Sequence, residues 1–165
     1  MEIHRFGASD LDDSGWCHAS STGGGFSVSL PTNAFADLST SGNAEDSVEI
    51  KSFFVCTLDR RQVKFTALAS RRTDDTVKGD ALEGFVERFE KQGSARERRI
   101  SLGKINGIEL RVTNRYSSAV ARIYKGRTAL YGLIVEAPST IHPEEIEGDV
   151  QRFMDSFNVS DMARE

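Results

Sequence analysis

The chain has 165 residues, a mass of 18.2 kDa and a net charge of −4, with 38% hydrophobic and 28% charged residues. That length suits one domain with a substantial core, and the balance excludes a disordered or collagen-like chain. No apolar run reaches the roughly 18 residues of a membrane helix, and so mild a net charge predicts no polyanionic partner.

The first fifteen residues read as a polar lead-in to a single domain over 16–159, with a short tail at 160–165. Met1 to Asp13 has no basic-then-apolar pattern, so no signal peptide is read. The chain is expected in the cytoplasm as it stands, and exported where a leader precedes it. Trp16 to Ser20 and Phe26 to Leu30 predict two strands around Gly23-Gly24-Gly25, the second alternating strictly between apolar and serine. Residues 37–47 are small and polar and read as a surface loop. Val48 to Cys56 and Gln62 to Ser70 predict a second hairpin.

Leu82, Phe85, Val86 and Phe89 form one apolar stripe, which predicts a helix from Ala81 to Gln92. Asp80 and Glu83 have the spacing of a capping box, and Gly93 marks the stop. Arg99 to Lys104 and Ile108 to Arg115 flank Asn106-Gly107, a strong hairpin signal. Ala119 to Tyr124 and Thr128 to Glu136 follow around Lys125-Gly126-Arg127. The last of these runs is apolar on both faces, so it belongs at the centre of a sheet covered on both sides. Pro143 to Phe157 predicts a closing helix with Ile146, Val150, Phe153 and Phe157 inward and glutamates in its first turn. Consecutive hairpins with two helices give an α+β class: an antiparallel sheet of about six to eight strands packed between helices.

Motifs for chemistry fail on inspection. The glycine run lacks the Gly-Lys-Ser/Thr ending of a phosphate loop, and a strand follows it instead of a helix. Asp10 to Gly15 matches the start of a calcium loop, but Ser21 stands where the bidentate glutamate belongs, so a turn capped by Asp and Ser fits better. His4, His18 and His142 have no ligand spacing, and Cys17 and His18 point to opposite faces of a strand. Cys17 and Cys56 are either buried fillers or one cross-strand bridge. No catalytic residue, metal site or cofactor is read.

Charge is polarised along the chain. Residues 95–127 carry nine cations against Glu97 and Glu109, net +7, and residues 128–165 carry two cations against eight acids, net −6. This reads either as a solvated sheet face neutralised by the acidic last helix or as a basic docking surface for an acidic protein patch. The contact residues expected on the second reading are Arg111, Arg115, Arg122, Lys125 and Arg127. With Tyr116 and Tyr124 as the only candidate stacking aromatics there, nucleic acid is not the expected partner.

Three segments in order, Gly24 to Pro31, Arg122 to Val135 and Arg152 to Phe157, resemble the PsbP-like superfamily, to which the extrinsic photosystem II subunit and a Ran-binding protein of yeast belong. The resemblance spans most of residues 16–159 and is carried by core and turn positions. It implies an antiparallel sheet between helices and a non-enzymatic binding, assembly or chaperone module that docks onto a protein partner, here as a bacterial member. No functional residue transfers with it. The alternative is a small carrier of an apolar ligand or lipid in a sheet–helix cleft, suggested by the paired Phe53-Phe54.

Overall fold

Phe26, Val28 and Leu30 alternate with Ser27 and Ser29, the simplest strand signal in the chain. In the computed structural model, which describes residues 2–8, 11–21, 23–32 and 34–160, this run is β3 (Phe26–Leu30) with all three apolar side chains buried. It lies between β2 (Cys17–Ser21) and β11 (Asn158–Val159) in a small antiparallel sheet. A second sheet of eight strands holds β1 (Glu2–Ala8), β4 (Ala34–Asn43), β5 (Glu49–Leu58), β6 (Lys64–Arg72), β7 (Ser94–Leu102), β8 (Ile105–Thr113), β9 (Ser117–Lys125) and β10 (Leu130–Pro138). Their order is β1-β4-β5-β6-β10-β9-β8-β7, and every pairing is antiparallel. With α1 (Ala81–Glu90) and α2 (Pro143–Asp155), the class is α+β, as the sequence predicts.

The large sheet consists of two meanders, β4-β5-β6 with β1 added at its outer edge and β7-β8-β9-β10, joined where β10 pairs with β6 from Leu130↔Ser70 to Glu136↔Lys64. β10 is covered on both faces. Tyr131, Leu133, Val135 and Ala137 enter the larger core, shared with the small sheet and α2, while Leu130 and Ile134 pack on the smaller core under α1. From α2, Ile146, Val150, Phe153 and Met154 are buried, with Phe153 edge-on to Phe65 at 5.3 Å. Phe157, just past the helix, stacks on Tyr124 at 6.3 Å and meets Phe26 and Tyr131, which ties both sheets together. Burying side chains of this size contributes about 1.5–3 kcal/mol each.

The turns are fixed locally. Asp12–Trp16, Ala44–Val48 and Asp59–Val63 share one five-residue geometry: the first N–H donates to the fifth carbonyl, and the fourth N–H donates back to the first carbonyl. The fourth residue has positive φ in each case: Gly15 (83°), Ser47 (67°) and Gln62 (66°). Asp12 and Asp59 accept two backbone N–H groups each with Oδ1, from Ser14 and Trp16 and from Arg61 and Val63. The Asp12 turn is therefore the capped turn expected, and Asp10 lies outside the described residues.

Four expectations are corrected. Residues 2–8 of the supposed lead-in form β1, whose register shifts between Ile3 and Arg5; such a bulge breaks the two-residue alternation that reveals a strand. Residues 37–43 of the supposed loop belong to β4, where pairing with β1 on one side and β5 on the other overrides the weak strand preference of Ser, Asp and Gly. The hairpin turn lies at Gly103-Lys104, not Asn106-Gly107, since Leu102 pairs with Ile105 and Gly107 with Ile100. Gly103 takes φ 60° at the first central position, where a two-residue turn needs a glycine. Gly107 has another use: a Cβ there would lie 2.6 Å from both the Tyr124 ring and the Ile123 carbonyl. Finally, Asp80 makes no side-chain capping bond, because its φ and ψ of −96° and 16° lie outside the extended region a cap adopts. The capping box sits on α2 instead, where His142 is extended and Glu145 Oε1 accepts its N–H at 3.3 Å.

Candidate functional site

Antiparallel register places the side chains of β7 to β10 in rows. On the face turned to α2 the rows are Ser94–Thr113–Ser118–Ala137, Arg96–Arg111–Val120–Val135, Arg98–Glu109–Arg122–Leu133 and Ile100–Gly107–Tyr124–Tyr131. The third row sets one acid between two cations. Glu109 is buried and accepts from Arg122 Nε at 2.8 Å, Arg98 Nη2 at 3.1 Å and Arg111 Nε at 3.2 Å. Burial pushes its carboxyl up, and the hydrogen bonds from Arg122 and Arg111 outweigh burial and hold it below the usual carboxylate range.

The acidic last helix closes over these cations. Arg111 forks onto Glu147, Nη2 to Oε1 at 2.9 Å and Nη1 to Oε2 at 3.1 Å, which lowers the Glu147 carboxyl pKa. Arg122 Nη1 lies 3.6 Å from Asp155. Much of the charge segregation seen in the sequence is thus consumed inside the fold, as two opposite patches zipped together.

The five expected contact residues do not form one patch. Arg111 and Arg122 face α2 and are engaged by Glu109, Glu147 and Asp155. Lys125 lies on the opposite sheet face, where Nζ donates to the Gly79 carbonyl at 3.0 Å ahead of α1. Arg115 is exposed in the β8–β9 turn with its guanidinium 5.5 Å from the Tyr116 ring centroid, and Arg127 is exposed in the β9–β10 turn. β9 separates those two turns by roughly 30 Å at strand rise.

Three further exposed cations lie on β7, which among the described residues is an edge strand with no neighbour on its outer side. Arg96 and Arg98 project to the α2 face and Arg99 to the α1 face, and all three are exposed. The sequence contains their signal, yet a turn at Asn106-Gly107 starts the strand at Arg99 and leaves Arg96 and Arg98 outside it. Moving the turn to Gly103 brings Arg96 opposite Arg111 and Arg98 opposite Glu109.

Other candidates resolve into packing. At the glycine run, carbonyls rather than N–H groups meet the nearby charge: Gly23 and Gly24 accept from Arg71 at 3.2 and 3.1 Å. That is the wrong polarity for a phosphate cradle. Phe53 packs against Gly23 at the larger core, whereas Phe54 lies on the other face between Leu38 and Leu68. Neither cysteine is in a disulfide: Cys17 lies in the larger core and Cys56 is half-buried on β5. Among the described residues no group of three or more His, Cys, Asp or Glu could hold a metal ion, and no helix is long and apolar enough to cross a membrane.

Clefts border both helices, and the two larger ones differ in lining. One of about 390 Å³ opens between α1 and the sheet, with Ile50, Phe85 and Leu130 inside and Arg72, Lys78 and Arg88 at its edge. Another of about 300 Å³ lies between α2 and β7–β10, with Val120, Val135, Ile146 and Val150 inside and Arg96 at its mouth.

No family model matches the chain, and no curated protein matches it. Its fold is similar to the solution structure of cyanobacterial PsbP (CyanoP) from Synechocystis sp. PCC 6803, with a TM-score of 0.57 over 90% of this chain and 95% of that one. Identity is 13%, so the likeness is one of architecture, and this chain has a PsbP-like fold.

Proposed function

We propose that the chain is a non-enzymatic docking module that receives an acidic, extended segment of a protein partner along β7. The observation that carries this reading is the outward edge of β7, where Arg96, Arg98 and Arg99 are exposed on a strand whose outer side is unpaired. An edge of this kind can take an added strand through backbone hydrogen bonds while side chains select the sequence. Charged edges also discourage indiscriminate pairing, so only a segment of opposite charge adds readily. The nine residues of β7 give a footprint of roughly nine extended residues on the partner. On this reading Arg111 and Arg122 do not touch the partner. They hold Glu109 and α2, and so fix the face beside the edge.

The test is capture from a lysate of the native cell at low and at high salt, with the wild type and an Arg96→Glu/Arg98→Glu/Arg99→Glu variant. A specific protein held at low salt, and lost both at high salt and with the variant, supports docking at β7. Equal capture by the two proteins at low salt overturns it.

A further inference from the structure

We infer that the cleft between α2 and β7–β10 is a binding site for a small carboxylate with a short aliphatic tail. The inference is independent of the docking reading and rests on the chemistry of the cleft. Its floor is aliphatic: Val120 on the sheet is partly exposed there, and the core residues Val135, Ile146 and Val150 lie just beneath the surface. Its outer end is polar, with the hydroxyls of Ser94, Thr113 and Ser118 in one cross-strand row.

The charge at the mouth selects the sign of the ligand. Arg96 and Arg111 stand directly opposite each other on β7 and β8, an arrangement that destabilises a strand pair. Arg111 is neutralised by Glu147 and Glu109. Among the described residues no acid pairs with Arg96. The charged lining is Arg96, Arg111 and Glu147, net +1. A carboxylate beside Arg96 with its tail over Val120 and Val150 answers both the unpaired cation and the apolar floor.

The cleft beside α1 has the same net +1 in its lining, Arg72, Lys78 and Arg88 against Glu45 and Asp80, but its Arg72 is taken by Asp46 and Asp74 and its Arg88 lies over the Phe85 ring. Size sets the ligand class. About 300 Å³ accommodates on the order of ten non-hydrogen atoms at the roughly 30 Å³ a water occupies in the liquid. That is the lower end for ligand sites and suits a medium-chain acid rather than a phospholipid.

The experiment is a titration of octanoate into the ¹⁵N-labelled protein, followed by amide chemical shifts, with 1-octanol as the uncharged comparison and Arg96→Gln as the variant. Arg96 is exposed and no described residue pairs with it, so this variant keeps the fold, and its own spectrum checks that. Saturable shifts at Val120, Val135, Ile146 and Val150, weakened at least fivefold for octanol and for R96Q, establish the site. The inference is overturned by no saturable shift, by shifts centred on the α1 cleft, or by equal affinity for octanol or in R96Q. None of these outcomes bears on capture of a protein at β7, so the two readings fail separately.

Discussion

Glu109 on β8 and Arg122 on β9 face each other across the strand pair, and Arg122 Nε donates to Glu109 Oε2 at 2.8 Å with both side chains largely withdrawn from water. Removing the acid leaves Arg122 with only the more distant and exposed Asp155, 3.6 Å from its Nη1. Glu109→Gln is expected to cost about 3–5 kcal/mol, the range for breaking a buried pair, with the exposed Arg98 adding little. The folded carboxyl titrates below its unfolded value of about 4.3. Its contribution is therefore complete above that pH and is lost as pH falls through the folded value. Urea unfolding at pH 7 and along an acid series measures both effects. A variant as stable as the wild type at pH 7 contradicts the role given to this pair.

Gln62 occupies a left-handed conformation in the Asp59–Val63 turn, which suits glycine better than glutamine. Gln62→Gly should stabilise the protein by about 0.5–1 kcal/mol, the relief of backbone strain exceeding the added freedom of the unfolded chain. Asp59→Ala removes two backbone acceptor contacts and should destabilise by about 1–2 kcal/mol. Thermal unfolding of the two variants should shift in opposite directions.

Gly107 and Gly148 make a matched pair. A Cβ at Gly107 meets backbone and an aromatic ring at 2.6 Å, while one at Gly148, on α2, meets nothing within 4 Å. Gly107→Ala should lose about 1–3 kcal/mol to overpacking. Gly148→Ala should gain about 1 kcal/mol from helix propensity alone. Equal melting temperatures for the two alanine variants would remove the close approach of Tyr124 as the reason for Gly107.

The thiols offer a chemical check. Burial pushes the Cys56 thiol pKa up, and Cys17 is closed within the core. Alkylation of the native protein should therefore be slow at Cys56 and absent at Cys17. Both should react after unfolding without a reductant, seen as two adducts by mass spectrometry. Fewer than two adducts there would mean the cysteines are joined in a disulfide.

Elements with a clean period were legible in the sequence. β3, α1, β10 and α2 each put a regular apolar pattern against a core, and that pattern survives without knowledge of the neighbours. β1 and β4 were not, because a bulge breaks the period in one and pairing on both sides sustains the other despite its composition. Asn106-Gly107 shows how one glycine serves two explanations. The pair has hairpin chemistry, but what Gly107 supplies is clearance for Tyr124, a residue seventeen positions away that only the sheet brings near. The misplaced turn also redistributes the cations. It removed Arg96 and Arg98 from β7 and left Arg111 and Arg122 apparently free, when α2 and Glu109 claim them.

The seam between β6 and β10 governs how the chain can assemble. Each meander on its side is built from near neighbours and can zip from its own turns, which are fixed by Asp59, Gly103 and Asn114. The seam requires the whole stretch from Arg72 to Leu130 to close, and no local contact rewards that step before it happens. Assembly is therefore limited by bringing two half-sheets together. Phe65 beneath Phe153 and Leu133 beside Ala67 are the contacts that the encounter must form. The speed of assembly is thus a kinetic property written in strand order rather than in any single residue.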